Sequence, residues 1–307
     1  MRKYSDSVDV YTDPKTGVLK NKLGLTTEKG LERAEAAASA LRSHELARSP
    51  IAGNFDLSHL KAIHQKLFSD VYQWAGQVRT VDISKGDSRF AHHGYIEAEA
   101  KKLTDQLNRE QNLRGMSADK FSQRAGHYMG ELNVIHPFRE GNGRSLREFM
   151  GQVAKQAGYE IKWEGIDRKD MTQASIEAYQ GSSERMARLI RENLVDRDRQ
   201  HALQLATDKL GKPDAGITEP QQGQKYTGKV LAVTDRHVAQ VNDKTAEIVL
   251  HERQALSGMQ RVQENRAVEI AYPAGRAGIV RDPQAREHGR SHEAGHERGR
   301  DSGDRER

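Results

Sequence analysis

No cysteine occurs in the 307 residues, which excludes disulfides, thiolate catalysis and zinc held by cysteine ligands. Long apolar runs are also missing. None approaches the roughly 18 residues that a spanning helix needs, and the opening stretch MRKYSDSVDVYTDPKTG lacks the apolar core of a secretory signal. The expectation is a cytoplasmic site of action with no membrane partner. Apolar residues make up only 35% and the mean hydropathy is −0.86, so part of the chain reads as polar linker or tail. The net charge of +5 is mild; it suits an anionic ligand and is weak support for DNA binding. The length is enough for two domains.

What is present divides along the chain. Residues 27–48 are rich in Ala, Leu, Glu and Arg and predict a helix with Thr27 as N-cap. In DLSHLKAIHQKLFSDVYQWAG, Leu57, Leu60, His64, Leu67 and Val71 recur at spacings of three and four, predicting an amphipathic helix that stops near Gly76. His64 lies on its apolar stripe and reads as a core histidine, not a ligand. QVRTVDISKGDSRFAHHGYI breaks that rhythm: Val78, Thr80 and Asp82-Ile83-Ser84 suit extended chain and Lys85-Gly86-Asp87 a turn, predicting a hairpin between helices. Helical patterning resumes over 95–113, 117–134, 144–158 and 171–194, so residues 1–195 read as one mostly helical domain. Residues 196–224, charged and then rich in Gly, Pro and Gln, read as a linker that begins as a helix. Residues 225–283 hold five short β-branched segments, with the helix-like HERQALSGMQR between the third and fourth, which suits a small OB-like barrel. Residues 284–307 carry balanced charge and almost nothing apolar, and predict a disordered tail. Its three histidines suit a solvated tail better than a metal site.

The chemistry concentrates in HPFREGNGRSLR, residues 136–147. Gly141 and Gly143 leave bare backbone just ahead of a helix, whose unpaired amides make an anion site. Arg144 and Arg147 are three apart on one helical face, placed for successive phosphates. Glu140 at the entrance suits Mg²⁺ bridging phosphate oxygens, and Asn142 can donate to a phosphate oxygen. His136 can be neutral at pH 7 and still accept a proton, which makes it the candidate general base. Together these groups describe transfer of a nucleotide's phosphorus centre to a hydroxyl, chemistry that rests on positioning and charge stabilisation. The plainer alternative, a helix break followed by solvent-facing arginines, requires most of these positions to coincide by chance.

Position for position, the segment resembles the signature of the Fic domain family, His-x-Phe-x-(Asp/Glu)-Gly-Asn-Gly-Arg-x-x-Arg. LKNKLG and the 55–86 region are similar to that family's N-terminal segment, upstream helix and flap, so the likeness covers roughly residues 10–195. It implies an all-helical core with a β-hairpin flap, and transfer of AMP from ATP to a Tyr, Thr or Ser hydroxyl of a target protein. On this resemblance His136 deprotonates the target, Phe138 anchors the loop and Glu140 holds Mg²⁺. Gly141, Asn142 and Gly143 cradle the α- and β-phosphates, while Arg144 takes the β- and Arg147 the γ-phosphate. The flap, with Val81, Asp82, Ile83, Ser84, Lys85 and Gly86, pairs with the target's backbone. Members that phosphorylate carry Lys at the position of Gly143, so the glycine favours AMP transfer.

Many Fic proteins also carry an inhibitory helix with the pattern (Ser/Thr)-x-x-x-Glu-(Gly/Asn). Only Glu140, Glu164, Glu192 and Glu264 are followed here by Gly or Asn, and His136, Glu160, Arg188 and Gln260 precede them by four. None fits. The chain resembles the subclass restrained by a separate small antitoxin, and Arg147 is the expected contact for that partner's glutamate. The resemblance leaves two target classes, a type II topoisomerase or a GTPase, and two settings, a cytoplasmic toxin or a translocated effector. The 225–283 module resembles the small β domain that follows Fic in some effectors and plasmid-borne toxins; with only Tyr226 and Tyr272 to stack on bases, nucleic acid is not its expected partner. Two other functions compete: transfer of a different group (another nucleotide, phosphocholine or phosphate) and a non-catalytic binding adaptor.

Overall fold

The computed structural model describes residues 9–86 and 88–283. It divides at Arg197 into two compact units.

In the first unit the helices begin where short polar side chains take a first-turn amide. Thr27 accepts from Gly30 N ahead of α1 (Glu28–Arg48), and Asp56 accepts from His59 N ahead of α2 (Leu57–Phe68). A hairpin follows, β1 (Ser84–Lys85) antiparallel to β2 (Ser88–Arg89), then α3 (Ile96–Arg109). Ser117 caps α4 (Ala118–Ile135), and α5 (Asn142–Gln156) comes after a tight turn. β3 (Tyr159–Ile161), α6 (Arg168–Tyr179), α7 (Glu184–Glu192) and β4 (Leu194–Asp196) complete the unit, with β3 and β4 antiparallel. The helix α4 runs through the middle and packs on α3, α5, α6 and α7. Its Phe121, Ala125, Tyr128, Met129 and Leu132 are buried, at the spacings of three and four that bring side chains onto shared faces. Phe68, Phe121, Phe138 and Phe149 are fully covered, each worth about 1.5–3 kcal/mol of apolar burial.

Two of the boundaries that differ from expectation flank the motif's surroundings. Helix α2 ends at Phe68, not near Gly76, because Val71 N and Tyr72 N both turn back to Phe68 O, at 3.0 and 2.9 Å. The apolar spacing continues past that point because Val71, Tyr72 and Trp74 are buried after the helix has ended, with the Tyr72 and Trp74 rings stacked 4.3 Å apart. Helix α5 starts at Asn142, two residues before the expected Arg144.

The second unit opens with α8 (Arg197–Leu210), followed by β5 (Ile217–Thr218). Residues 196–224 are therefore not a loose linker. Ala202 and Ala206 are fully buried against Leu231, Ala232, Ala239, Ile248 and Leu250, and β5 pairs in parallel with β8 (Ile248–Glu252). The small alanine face was hidden in the sequence by charged neighbours. The remaining strands are β6 (Lys225–Val233), β7 (His237–Val241), β9 (Leu256–Ser257), β10 (Ala267–Ala271) and β11 (Gly278–Arg281). The sheet order is β5-β8-β7-β6-β10-β11-β9. Because β9 follows β8 in the chain yet pairs in parallel with β11 at the far edge, the sheet curls back on itself as an OB-like barrel. The long β6 serves two neighbours, β10 through Lys225–Lys229 and β7 through Val230–Val233, and a register shift between Val230 and Ala232 bends it at the changeover. Gly228, at φ 154°, lets the end of β7 approach closely, since a Cβ would sit 1.9 Å from Val241 O. The segment expected as a helix between the third and fourth main strands is instead two 3₁₀ turns flanking β9. The expected tail, 284–307, lies outside the described residues. Among those residues no helix is long and apolar enough to cross a membrane.

Candidate active site

His136 ends α4 in the left-handed conformation, φ 49°, which is uncommon for a residue with a side chain and is maintained by its surroundings. Pro137 prevents the helix from continuing. The imidazole Nδ1 donates to Asn133 O at 3.0 Å; since a carbonyl only accepts, the proton sits on Nδ1 and Nε2 carries the lone pair. The Phe90 ring stacks on the imidazole, centroids 3.7 Å apart. Burial pushes the imidazole pKa down to about 3, the nearby Arg79 and Lys85 acting in the same direction against the Asn133 and Glu140 contributions. The imidazole is therefore neutral at physiological pH.

The backbone around it is gripped by Arg79, which is almost wholly buried. Its Nε donates to His136 O (2.8 Å), one terminal nitrogen to Val81 O (2.7 Å), and the other to Ala91 O and to Ile135 O (3.2 Å). Its own amide donates to Pro137 O at 2.9 Å. Four carbonyls from the flap stems and the end of α4 thus share one guanidinium.

The turn into α5 is closed by side chains of the motif itself. Phe138 is fully buried and stacks on His64, centroids 3.8 Å apart. His64 is the expected core histidine: Nδ1 accepts from Gly76 N (2.8 Å) and Nε2 donates to Glu140 O (3.0 Å), while burial pushes its pKa down to about 4. Asn142 departs from its expected role. Its side-chain oxygen accepts from Phe138 N (2.9 Å) and its amide nitrogen donates to Phe138 O (2.7 Å), so the side chain clamps the loop. Gly141 is required at φ 82°, where a Cβ would lie 2.4 Å from the Phe68 ring. A Cβ on Gly143 would meet only an Arg147 nitrogen at 3.5 Å, so that position is open space and not a steric demand. α5 begins on Gly141 with no side-chain cap, unlike α1, α2, α4 and α6. Its first-turn amides are thereby left for an anion.

Glu140 is buried at this entrance; Oε1 accepts from Gly141 N at 3.1 Å and lies 4.0 Å from the Arg144 guanidinium. Arg144 lies over the Phe68 ring, 4.8 Å from its centroid, donates to Ser39 Oγ at 3.0 Å and pairs with Glu35 of α1. The Tyr72 hydroxyl also donates to Glu35, which is buried. Arg147 is half-buried and has no hydrogen-bond or ion-pair partner among the described residues; burial and the neighbouring Arg144 charge lower its pKa.

Of the flap residues, Val81 and Ile83 turn inward and are buried, whereas Lys85 and Gly86 are exposed and Asp82 and Ser84 half-exposed. Regular pairing covers only Ser84–Lys85 with Ser88–Arg89, less than the extended stretch expected. The β2 side is tied to the domain: Arg89 N donates to Tyr179 Oη (3.2 Å) and Ala91 N to Val134 O (3.2 Å).

Sequence reasoning missed Arg79, Phe90, Glu35 and Tyr179. A signal existed for two of them. Arg79 shares the two-residue alternation of the buried Val81 and Ile83, and a charge on that face marks a bound role. Glu35 and Ser39 continue the i, i+4 stripe that starts at the buried Leu31.

Residues 54–154 match the model of the Fic/DOC family, and residues 225–281 match the KfrB Domain model. The protein adenylyltransferase VbhT of Bartonella schoenbuchensis is 58% identical over 196 residues, covering 64% of this chain and 41% of that protein. The probable protein adenylyltransferase Fic of Escherichia coli is 39% identical over 173 residues, covering 56% of this chain and 86% of that protein. Among solved structures, BepC of Bartonella tribocorum, a VirB-translocated effector crystallised with AMPPNP, superposes with a TM-score of 0.57 at 31% identity, covering 61% of this chain and 96% of that one. The chain belongs to the Fic/DOC family. It spans about two-fifths of the length of VbhT.

Proposed function

We propose that the first unit transfers AMP from ATP to a hydroxyl side chain of a target protein. The observation that carries this reading is the conjunction at one helix entrance of a neutral buried imidazole, a buried carboxylate, an uncapped first turn and two arginines. The triphosphate lies along the α5 amides, with Arg144 and Arg147 on its outer phosphates. The target oxygen attacks the α-phosphorus, its proton passes to His136 Nε2, and the bond from that phosphorus to the β-phosphate's bridging oxygen breaks, releasing pyrophosphate. The incoming phosphates are anions beside a ring otherwise depressed by burial, so they raise its basicity when it is needed. Glu140 fits Mg²⁺, being one oxygen ligand beside a phosphate site that would supply others; the ion would neutralise phosphate charge. Incubation with α- or γ-labelled ATP tests the reading. Label retained on protein from the α position alone supports AMP transfer, γ label indicates a kinase, and neither indicates an adaptor.

The flap presents the target through the Ser84–Gly86 side of the hairpin, since β2 is bound to α6 and α4. The open space at Gly143 agrees with the nucleotide orientation for AMP transfer. Control falls to a separate antitoxin whose glutamate pairs with Arg147, the motif arginine that has no hydrogen-bond or ion-pair partner among the described residues. Protein expressed alone is then active or toxic; silence that is relieved by removing either end of the chain contradicts this. The second unit serves docking, not catalysis.

A further inference from the structure

Three groups that the transfer chemistry does not use meet at the base of the flap. Asp82 lies on the outgoing stem; His92 and His93 lie just beyond the returning one. Asp82 Oδ1 is 2.9 Å from His93 Nδ1, and Oδ2 is 3.4 Å from His92 Nε2. The two imidazoles stack at 4.5 Å between centroids. All three donor atoms fall within 4.8 Å of one another. An ion with bonds of about 2.0–2.1 Å to nitrogen and oxygen in tetrahedral array sets its ligand atoms roughly 3.3 Å apart, and the two separations bracket that spacing.

We propose that Asp82, His92 and His93 form a binding site for a zinc-class transition dication, and that this ion clips the two stems of the flap together. The donor set selects the metal. Two neutral imidazoles and one carboxylate suit Zn²⁺, Ni²⁺ or Co²⁺, while Mg²⁺ requires an oxygen shell. The Arg79 guanidinium, 3.9 Å from Asp82 Oδ1, offsets part of the carboxylate charge, so the two imidazoles must supply most of the affinity. Access is open, with side-chain exposures of 38% for Asp82 and His93 and 55% for His92. Little has to rearrange. The His93 proton moves from Nδ1 to Nε2, while His93 N keeps its bond to Asp82 Oδ1 at 2.8 Å. The His92 proton moves from Nε2 to Nδ1, so that Nε2 takes the ion, and the Gly94 N–H that Nδ1 accepted from at 3.2 Å turns to water. Water completes the coordination. No bond is made or broken in the chain, and the site is separate from Glu140.

The experiment uses the full chain with His288, His292 and His296 replaced by Gln, so that those histidines do not take up the metal. Amide hydrogen exchange is followed with zinc alone, with magnesium alone and without metal, in the absence of ATP and target. One equivalent of zinc is expected to slow exchange across residues 81–93 at least ~10-fold, equivalent to about 1.4 kcal/mol, with magnesium lacking the effect and α5 unchanged. The paired substitution His92→Gln and His93→Gln is expected to abolish that slowing. The proposal is overturned if zinc leaves flap exchange unaltered, or slows it equally in the paired variant. Because the readout involves no AMP transfer, it stands or fails apart from the catalytic reading.

Discussion

His136 in the first unit and His251 in the second are both buried, and burial pushes each imidazole pKa down to about 3. Their surroundings differ. His251 has Nδ1 on Tyr272 Oη (2.8 Å) and Nε2 on Gln240 Oε1 (3.1 Å), and Gln240 in turn donates to Gly228 O and Val268 O. That is a polar network satisfied within a barrel, and it orders the strands around it. His136 stands instead at a strained helix end, four residues from a buried acid and beside an uncapped helix. A depressed histidine pKa alone therefore does not mark chemistry. What sets His136 apart is its company, a buried carboxylate and a helix entrance without a side-chain cap.

Exchanging the two histidines' neighbours in thought gives the sharpest tests. His136→Ala is expected to reduce AMP transfer at least ~10²-fold, the usual worth of a general base, with the melting profile little changed. His251→Ala should do the reverse: transfer intact, but the second unit weakened by about 1–3 kcal/mol because Tyr272 and Gln240 lose a partner in the interior. If His251→Ala abolishes transfer, the separation of roles is wrong. Arg79→Met is next in size. It leaves four carbonyls of the first unit without their donor, and denaturant titration should register a loss of about 3–5 kcal/mol, accompanied by lost transfer. Glu35→Gln is milder. It keeps the shape beside Arg144 but removes the charge, and should raise KM for ATP by roughly 3–10-fold, about 0.7–1.4 kcal/mol, with kcat largely retained. An effect on kcat alone would place Glu35 elsewhere in the mechanism. The remaining response, to pH, is common to both units and is spread over three histidines. The unfolded chain protonates these histidines near pH 6.5, whereas the folded His64, His136 and His251 resist until about 3–4. The stability they confer is complete above 6.5 and is lost as pH falls toward 4, at about 1.4 kcal/mol per pH unit for each histidine. Stability that rises on acidification over that range would show that they are charged in the folded state.

The motif and the helical periods were readable because their signals are local. Thr27 and the α4 pattern lie where the sequence put them, and HPFREGNGRSLR forms a helix end, a turn and a helix entrance. What stayed hidden is held by partners distant in sequence. Glu35 meets Arg144 across 109 positions, Arg79 meets His136 across 57, and Tyr179 meets Arg89 across 90. The alanine face of α8 was obscured because its burial depends on a sheet that forms later in the chain. Asn142 was assigned to the ligand on its donor chemistry and on the family resemblance, and the loop its side chain closes cannot be inferred from either.

Arg79 leaves no slack between hairpin and imidazole. On the proposed transfer, a protein lying badly along the hairpin would pull on the His136 carbonyl through Arg79, so poor fit would be felt when the hydroxyl proton must leave, even where the encounter itself is tight. Discrimination among candidate substrates would then be written in turnover more than in affinity, and a strong binder of this chain need not be a good acceptor of its nucleotide.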